Sequence, residues 1–245
     1  GYLGWAQKWA YLPLRVIMDN VIKVTFPAFS RLQSDKQALS RAIEEAIFIS
    51  ALLTFPILTS LLMSSSSLIG IIPNYEKWLP AYSLLQIYIL GSYVSSVTII
   101  ITNALNAVGK IKTTLKLMLL WTSLTWILSI PLASKFESLG VAIAWLIVTA
   151  SSLLAFYIGY KELKINALKV LFSPIVSTLV LILVLKFLFT TVEPSNIFTV
   201  LGILSCGIVV YLITSFLTAK DRLIKNITIF RSSLKIRLSK IRLSI

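Results

Sequence analysis

Histidine is absent from this chain of 245 residues, and cysteine occurs once, as Cys206. The first absence removes the commonest general base and the commonest metal ligand. The second removes any internal disulfide, and Cys206, set in an apolar run, reads as a small packing residue. Charge is scarce as well. Asp and Glu together number 9 against 23 Lys and Arg, and charged residues of all kinds make up 13%. A soluble domain carries about 25%. A secretory signal is also missing, since no basic start is followed by a short apolar core. Neither a metal nor another cofactor is expected from such a composition.

What remains is apolar. Hydrophobic residues make up 57% and the mean hydropathy is +0.90, which reads as an integral membrane protein. A net charge of +14 could suggest nucleic acid, but the basic residues sit at the ends of apolar runs and in the tail. That pattern fits loops facing anionic lipid and a cytoplasm, so anionic membrane lipids are expected partners and nucleic acid is not.

A span needs about 20 apolar residues. Seven segments qualify, at 2–29, 42–72, 80–108, 113–132, 139–160, 168–189 and 196–217. Pro73-Asn74, Gly109, Gly140 and Glu193-Pro194-Ser195 punctuate them. The runs are too long, and too poor in period-2 alternation, for a membrane barrel. The expected fold class is therefore all-α, a polytopic membrane bundle of seven transmembrane helices. Of the 23 basic residues, 17 lie in the 30–41, 110–116, 161–169 and post-217 connections; Lys77, Lys135 and Lys186 lie in the opposite ones. This alternation places the first group and the tail in the cytoplasm. The first span then begins outside. The chain starts mid-span at Gly1, which reads as the C-terminal part of a longer protein with an odd number of spans upstream.

The remaining three cations lie inside the first span. Lys8, Arg15, Asp19 and Lys23 fall on one stripe at 3.6 residues per turn. An ionisable residue within a span is a functional candidate unless something neutralises it. Two readings of Arg15 and Asp19 stand: a pair facing a wet cavity, or an internal i,i+4 salt bridge. Asp19, the one carboxylate well inside a span, is also a candidate site for a coupling cation. Lys8 and Lys23 lie nearer the ends, where snorkelling to the interface is the alternative. In the third span, Asn103 and Asn106 need partners. They read either as ligands for sugar hydroxyls or as interhelical hydrogen-bonding groups. In the tail 220–245, Leu234, Leu238, Ile241 and Ile245 fall on one helical face, as in a cationic segment lying on a lipid surface.

Residues 4–14 (GWAQKWAYLPL) lead into 23–32 (KVTFPAFSRL). This resembles the polysaccharide flippases, the lipid-linked repeat-unit transporters of the superfamily that also holds multidrug/cation antiporters and the lipid II flippase. Ala6, Lys8, Pro13, Pro27, Ser30 and Arg31 match the family's pattern for such a span. Phe55-Pro56, 77–81 (KWLPA), 103–110 (NALNAVGK) and 139–144 (LGVAIA) follow in order. The resemblance implies a protein of fourteen helices, two six-helix lobes and a terminal hairpin. Residues 1–165 would then be five helices of the second lobe, 166–219 the hairpin, and 220–245 a basic cytoplasmic tail. It further implies a non-enzymatic exporter in the cytoplasmic membrane. Such an exporter moves a polyprenyl-pyrophosphate-linked oligosaccharide for surface polysaccharide biosynthesis by alternating access, with H⁺ or Na⁺ at Asp19 as the candidate coupling ion. Family members often carry a cavity arginine at the position of Lys8. The missing N-terminal lobe is an implied partner, without which the piece is expected to be inactive.

Two rivals are weighed. A cation antiporter of the same fold would want net negative cavity charge, whereas the stripe carries three positive charges and one negative. A membrane glycan polymerase or ligase would need carboxylates or basic clusters in sizeable outer loops. Those loops hold only Glu76, Glu137 and Glu193.

Overall fold

The computed structural model describes residues 1–242, with side chains through Ile224 and those of Asn226 and Thr228. Seven α-helices run in chain order: α1 Tyr2–Arg31, α2 Lys36–Ile71, α3 Tyr82–Ala107, α4 Ile111–Ser151, α5 Leu153–Leu163, α6 Ala167–Thr191 and α7 Ile197–Arg242. One 3-10 segment, Glu76–Ala81, precedes α3. No strand occurs among the described residues. Two of the helices start at a side-chain cap. Asp35 accepts hydrogen bonds from the amides of Gln37 and Ala38 at the head of α2. Asn166 does the same from Lys169 at the head of α6.

Five helical stretches are long and apolar enough to cross a membrane. The expected seven spans differ from these five for two physical reasons. First, α1 is interrupted by Lys8, Arg15, Asp19 and Lys23, and so falls outside a purely apolar criterion. Second, the stretch Ile111–Leu163 has 53 residues. Straight, it would be about 80 Å long, against about 30 Å of hydrocarbon. It folds back at Glu137, whose φ of 49° and ψ of −127° break the helix. The two ends meet again where Lys110 Nζ lies 2.7 Å from Glu162 Oε2. Gly140 permits the turn, because a Cβ there would strike the carbonyl of Leu132. The fourth and fifth expected spans are thus one hairpin whose turn lies inside an almost unbroken helical run. The second arm continues into α5 through a shift at Ser152.

Helix α3 is the hub. It packs against α1, α2, both arms of α4, and α5. Around it lies one core that includes Phe29, Ile43, Ile47, Phe48, Ile100, Ile101 and Leu105. A second core holds Ala6, Ala10 and Leu14 of α1 against Leu84, Leu85 and Tyr88 of α3. Ala6 and Ala10 are fully buried. Small residues let helix backbones approach closely, which matters in lipid, where packing rather than water exclusion drives association. Helices α6 and α7 pair with each other through Leu181, Leu185, Ile203 and Tyr211 and lean on α2.

One end of the bundle gathers its links. Ser40 donates to the Lys164 carbonyl at 3.0 Å, and the Asn166 amide donates to Glu44 at 2.8 Å. Beyond a kink at Ala219, Arg222 Nε meets Glu45 at 2.8 Å and stands over the Phe48 ring. Asn226 also donates to Glu45. The tail is therefore helical as far as Arg242. The proposed apolar face of Leu234, Leu238, Ile241 and Ile245 lies outside the described side chains.

Candidate functional site

The inner face of α1 decides where its outer face points. Ala6, Ala10, Leu14, Met18 and Phe29 are buried against the bundle. The opposite face carries Lys8, Arg15, Asp19 and Lys23, all exposed, with Leu12, Val16, Asn20 and Val24 between them. The sequence stripe is thus a physical stripe, turned away from the other helices among the described residues.

Arg15 and Asp19 do not form a salt bridge. Among the described residues the ion pairs are Lys110–Glu162 and Arg222–Glu45. The internal-pair alternative is not the arrangement in this structure, so both charges point outward on their own. Asn20 is the one polar neighbour that satisfies itself, with Nδ2 donating to the Val16 carbonyl at 2.6 Å.

Asn103 and Asn106 are not brought to this stripe. They are half-buried on α3, and α3 meets α1 through α1's opposite, buried face. Asn103 Nδ2 donates to the Ile99 carbonyl at 2.8 Å, inside its own helix. No contact between these asparagines and the four charged side chains occurs among the described hydrogen bonds.

A brace behind the stripe escaped sequence reasoning. Tyr88 is fully buried, and its hydroxyl accepts a hydrogen bond from Gln7 Nε2 at 3.0 Å. Trp145 lies 4.8 Å from the Tyr88 ring and 5.6 Å from that of Tyr11. Ser92 reaches the Ala10 carbonyl at 3.4 Å. These contacts fix the rotation of α1 and hence the direction of Lys8 and Arg15. Gly91 is part of the brace, because a Cβ there would run into the Trp145 ring. At the end of α1 near Gly1, Trp5 stacks on Trp78 at 5.3 Å and meets Tyr75 edge-on. Trp5, Trp9, Tyr75 and Trp78, residue types that favour a membrane–water interface, thus form a cluster of mutual contacts.

Two concavities complete the picture. One, of about 230 Å³, lies between α3 and α4 and is lined by Ser95, Thr98, Thr102, Trp121, Thr149 and Ser152. The other, of about 360 Å³, is an apolar groove among α2, α3, α5 and α6, lined by Phe55, Leu90, Leu153, Phe156, Leu171 and Ile175 among others. Sequence hinted at the first only through scattered hydroxyls. The second needed the docking of α6 on α2, which no local pattern specifies. No metal-binding cluster of acids and cysteines occurs among the described residues.

A family described as "Polysaccharide biosynthesis protein" matches residues 1–83, the segment that carries the charged stripe. No curated protein sequence matches the chain. Among solved structures, the chain is similar to a lipid II flippase, MurJ, in an inward closed conformation. The TM-score is 0.75 at 22% identity, over 91% of this chain and 47% of the other. The chain thus spans about half the length of that flippase and shares its fold. The family match agrees with the α1 motifs as far as polysaccharide biosynthesis, and the structural match shows a shared fold.

Proposed function

We propose that this chain is part of a flippase that moves a polyprenyl-pyrophosphate-linked oligosaccharide across the cytoplasmic membrane by alternating access. The observation that carries the reading is the stripe of α1: Lys8, Arg15, Asp19 and Lys23 exposed on one face of a helix within a bundle of apolar helices, none of the four in either ion pair found among the described residues. Charges so placed need water or a charged ligand rather than hydrocarbon. In this reading the stripe faces a cavity closed by the other lobe, and residues 1–165 form five helices of the second lobe. Residues 166–219 are a flanking hairpin and 220–245 a cytoplasmic tail. Lys8 and Arg15, about 10 Å apart along the axis, hold the pyrophosphate with its first sugar. A cation–phosphate contact is stronger there than in bulk water. Asn103 and Asn106 would contribute sugar contacts only after a rearrangement that frees Asn103 from its own helix. Asp19 is the position at which H⁺ or Na⁺ would couple. The apolar groove between α2 and α6 offers the carrier's hydrocarbon tail a path beside lipid. The family match and the fold favour transport over catalysis.

The test is complementation of a flippase-deficient strain by the full-length protein, scored by surface glycan and by protein level in the membrane. Arg15→Ala should abolish surface glycan while leaving the protein level unchanged. Efflux of a cationic dye by the unaltered protein, with no glycan restored, would move the reading to a cation antiporter.

A further inference from the structure

We infer a second anion site, distinct from the α1 stripe: a phosphate-binding pocket on the tail-bearing end of the bundle, formed by the start of α2 and the turn between α5 and α6. A cavity of about 440 Å³ is lined there by Lys36, Gln37, Ser40, Arg41 and Lys164. Its two walls are far apart in sequence and are joined by the Ser40 hydroxyl, which donates to the Lys164 carbonyl at 3.0 Å. Lys164 ends α5 in the left-handed conformation, φ 55° and ψ 31°, and the turn there delivers a third cation to the two on α2.

Of the five acids at this end, four have described partners elsewhere, and the fifth, Asp221 at the start of the tail, does not line the cavity. Asp35 caps α2. Glu44 accepts from the Asn166 amide at 2.8 Å. Glu45 takes Arg222 and Asn226, and Glu162 takes Lys110. Neither described ion pair includes Lys36, Arg41 or Lys164. Arg41 Nε is spent on the Gln37 carbonyl at 3.2 Å, which leaves its terminal nitrogens for a ligand. Three like charges around one cavity repel each other. An anion with several acceptor oxygens relieves this, and a phosphate group matches both the guanidinium fork and the two ammonium groups. The pocket sits on the polar first turns of α2, ahead of the apolar run that follows Glu45, which in a membrane-crossing α2 is the region of lipid headgroups. The phosphodiester of an anionic phospholipid is therefore the occupant the position favours; a soluble phosphate or pyrophosphate shares its chemistry.

The experiment is thermal unfolding of the purified full-length protein in neutral detergent at fixed ionic strength. Phosphatidylglycerol, phosphatidylcholine, inorganic phosphate or pyrophosphate is added in separate arms. Phosphatidylglycerol, and not phosphatidylcholine, should raise the midpoint. Lys36→Gln/Arg41→Gln/Lys164→Gln should lose most of that rise, whereas Lys112→Gln/Lys116→Gln/Lys220→Gln, with the same charge removed elsewhere, should keep it. A rise with phosphate or pyrophosphate alone, lost in the same pocket variant, assigns the pocket to a soluble source. If the triple variant does not fold, Arg41→Lys serves instead; it keeps the charge, loses the fork, and should need severalfold more lipid for half the rise. No rise in the unaltered protein, or equal rises in pocket and control variants, overturns the site.

Discussion

At the scale of single residues, the separation of Arg15 from Asp19 changes what a double substitution should do. A buried ion pair can be replaced by two apolar residues at little cost, so a structural pair would be rescued by Arg15→Leu/Asp19→Leu. These two side chains point outward without meeting. The double variant should therefore be as defective in surface glycan as Arg15→Ala, and full rescue would refute a direct role. Lys8 gives a second discriminating result. Lys8→Glu should remove glycan export by reversing charge next to the pyrophosphate. Lys8→Arg should be tolerated or improve it through bidentate contact. Glycan unaffected by Lys8→Glu would place Lys8 at the interface. The residues of the stripe were legible because charge inside a span is rare. The brace that aims them was not, since Gln7, Tyr88 and Trp145 look like ordinary span residues until α1, α3 and α4 meet. Gly91→Ala tests that brace: the new methyl must displace a ring wedged between Tyr11 and Tyr88. A loss of about 1–3 kcal/mol is expected from such overpacking, read as a lower unfolding midpoint in detergent.

At the scale of helices, α1 and α4 show what periodicity can and cannot report. The face of α1 follows from its 3.6-residue repeat, because small residues on one side and charges on the other leave one way to dock. The reversal in α4 was legible by other means: the polar stretch 134–138 (SKFES) separates two apolar runs and Gly140 opens the second. What no local pattern reported is that the turn stays almost helical, with Glu137 as its one non-helical residue. The arms should lie side by side at the Lys110 end. In a protein lacking Cys206, cysteines at 110 and 162 should be joined by a short bifunctional thiol reagent, whereas cysteines at 110 and 136 should not. Joining of the second pair and not the first would mean that the arms are not folded back. Gly140→Val should impair the reversal, read as loss of the 110–162 cross-link.

At the scale of the whole molecule, the alternation of basic loops acquires a physical counterpart. The basic connections were assigned to one side from charge alone. In the structure Ser40 reaches Lys164, Lys110 reaches Glu162 and Glu45 reaches Arg222. The α1–α2, α3–α4 and α5–α6 connections and the start of the tail thus share one end of the bundle. Tyr75 and Trp78 sit with Trp5 at the other end. Which end meets the cytoplasm rests on the positive-inside bias. Cysteine scanning with a membrane-impermeant thiol reagent in intact cells, after replacing the exposed Cys206, tests it. Cysteines at positions 74, 136 and 195 should label from outside. Those at 36, 112 and 164 should label only after permeabilisation. Labelling of 112 and 164 from outside, with 74 and 136 protected, would invert the bundle. It would then set the cationic pocket of Lys36, Arg41 and Lys164 against the outer leaflet, and the same phosphate chemistry would have to act on the product side of transport. A mixed pattern, with 112 outside and 164 inside, would contradict the links that hold those connections at one end and would remove the structural basis of the pocket itself.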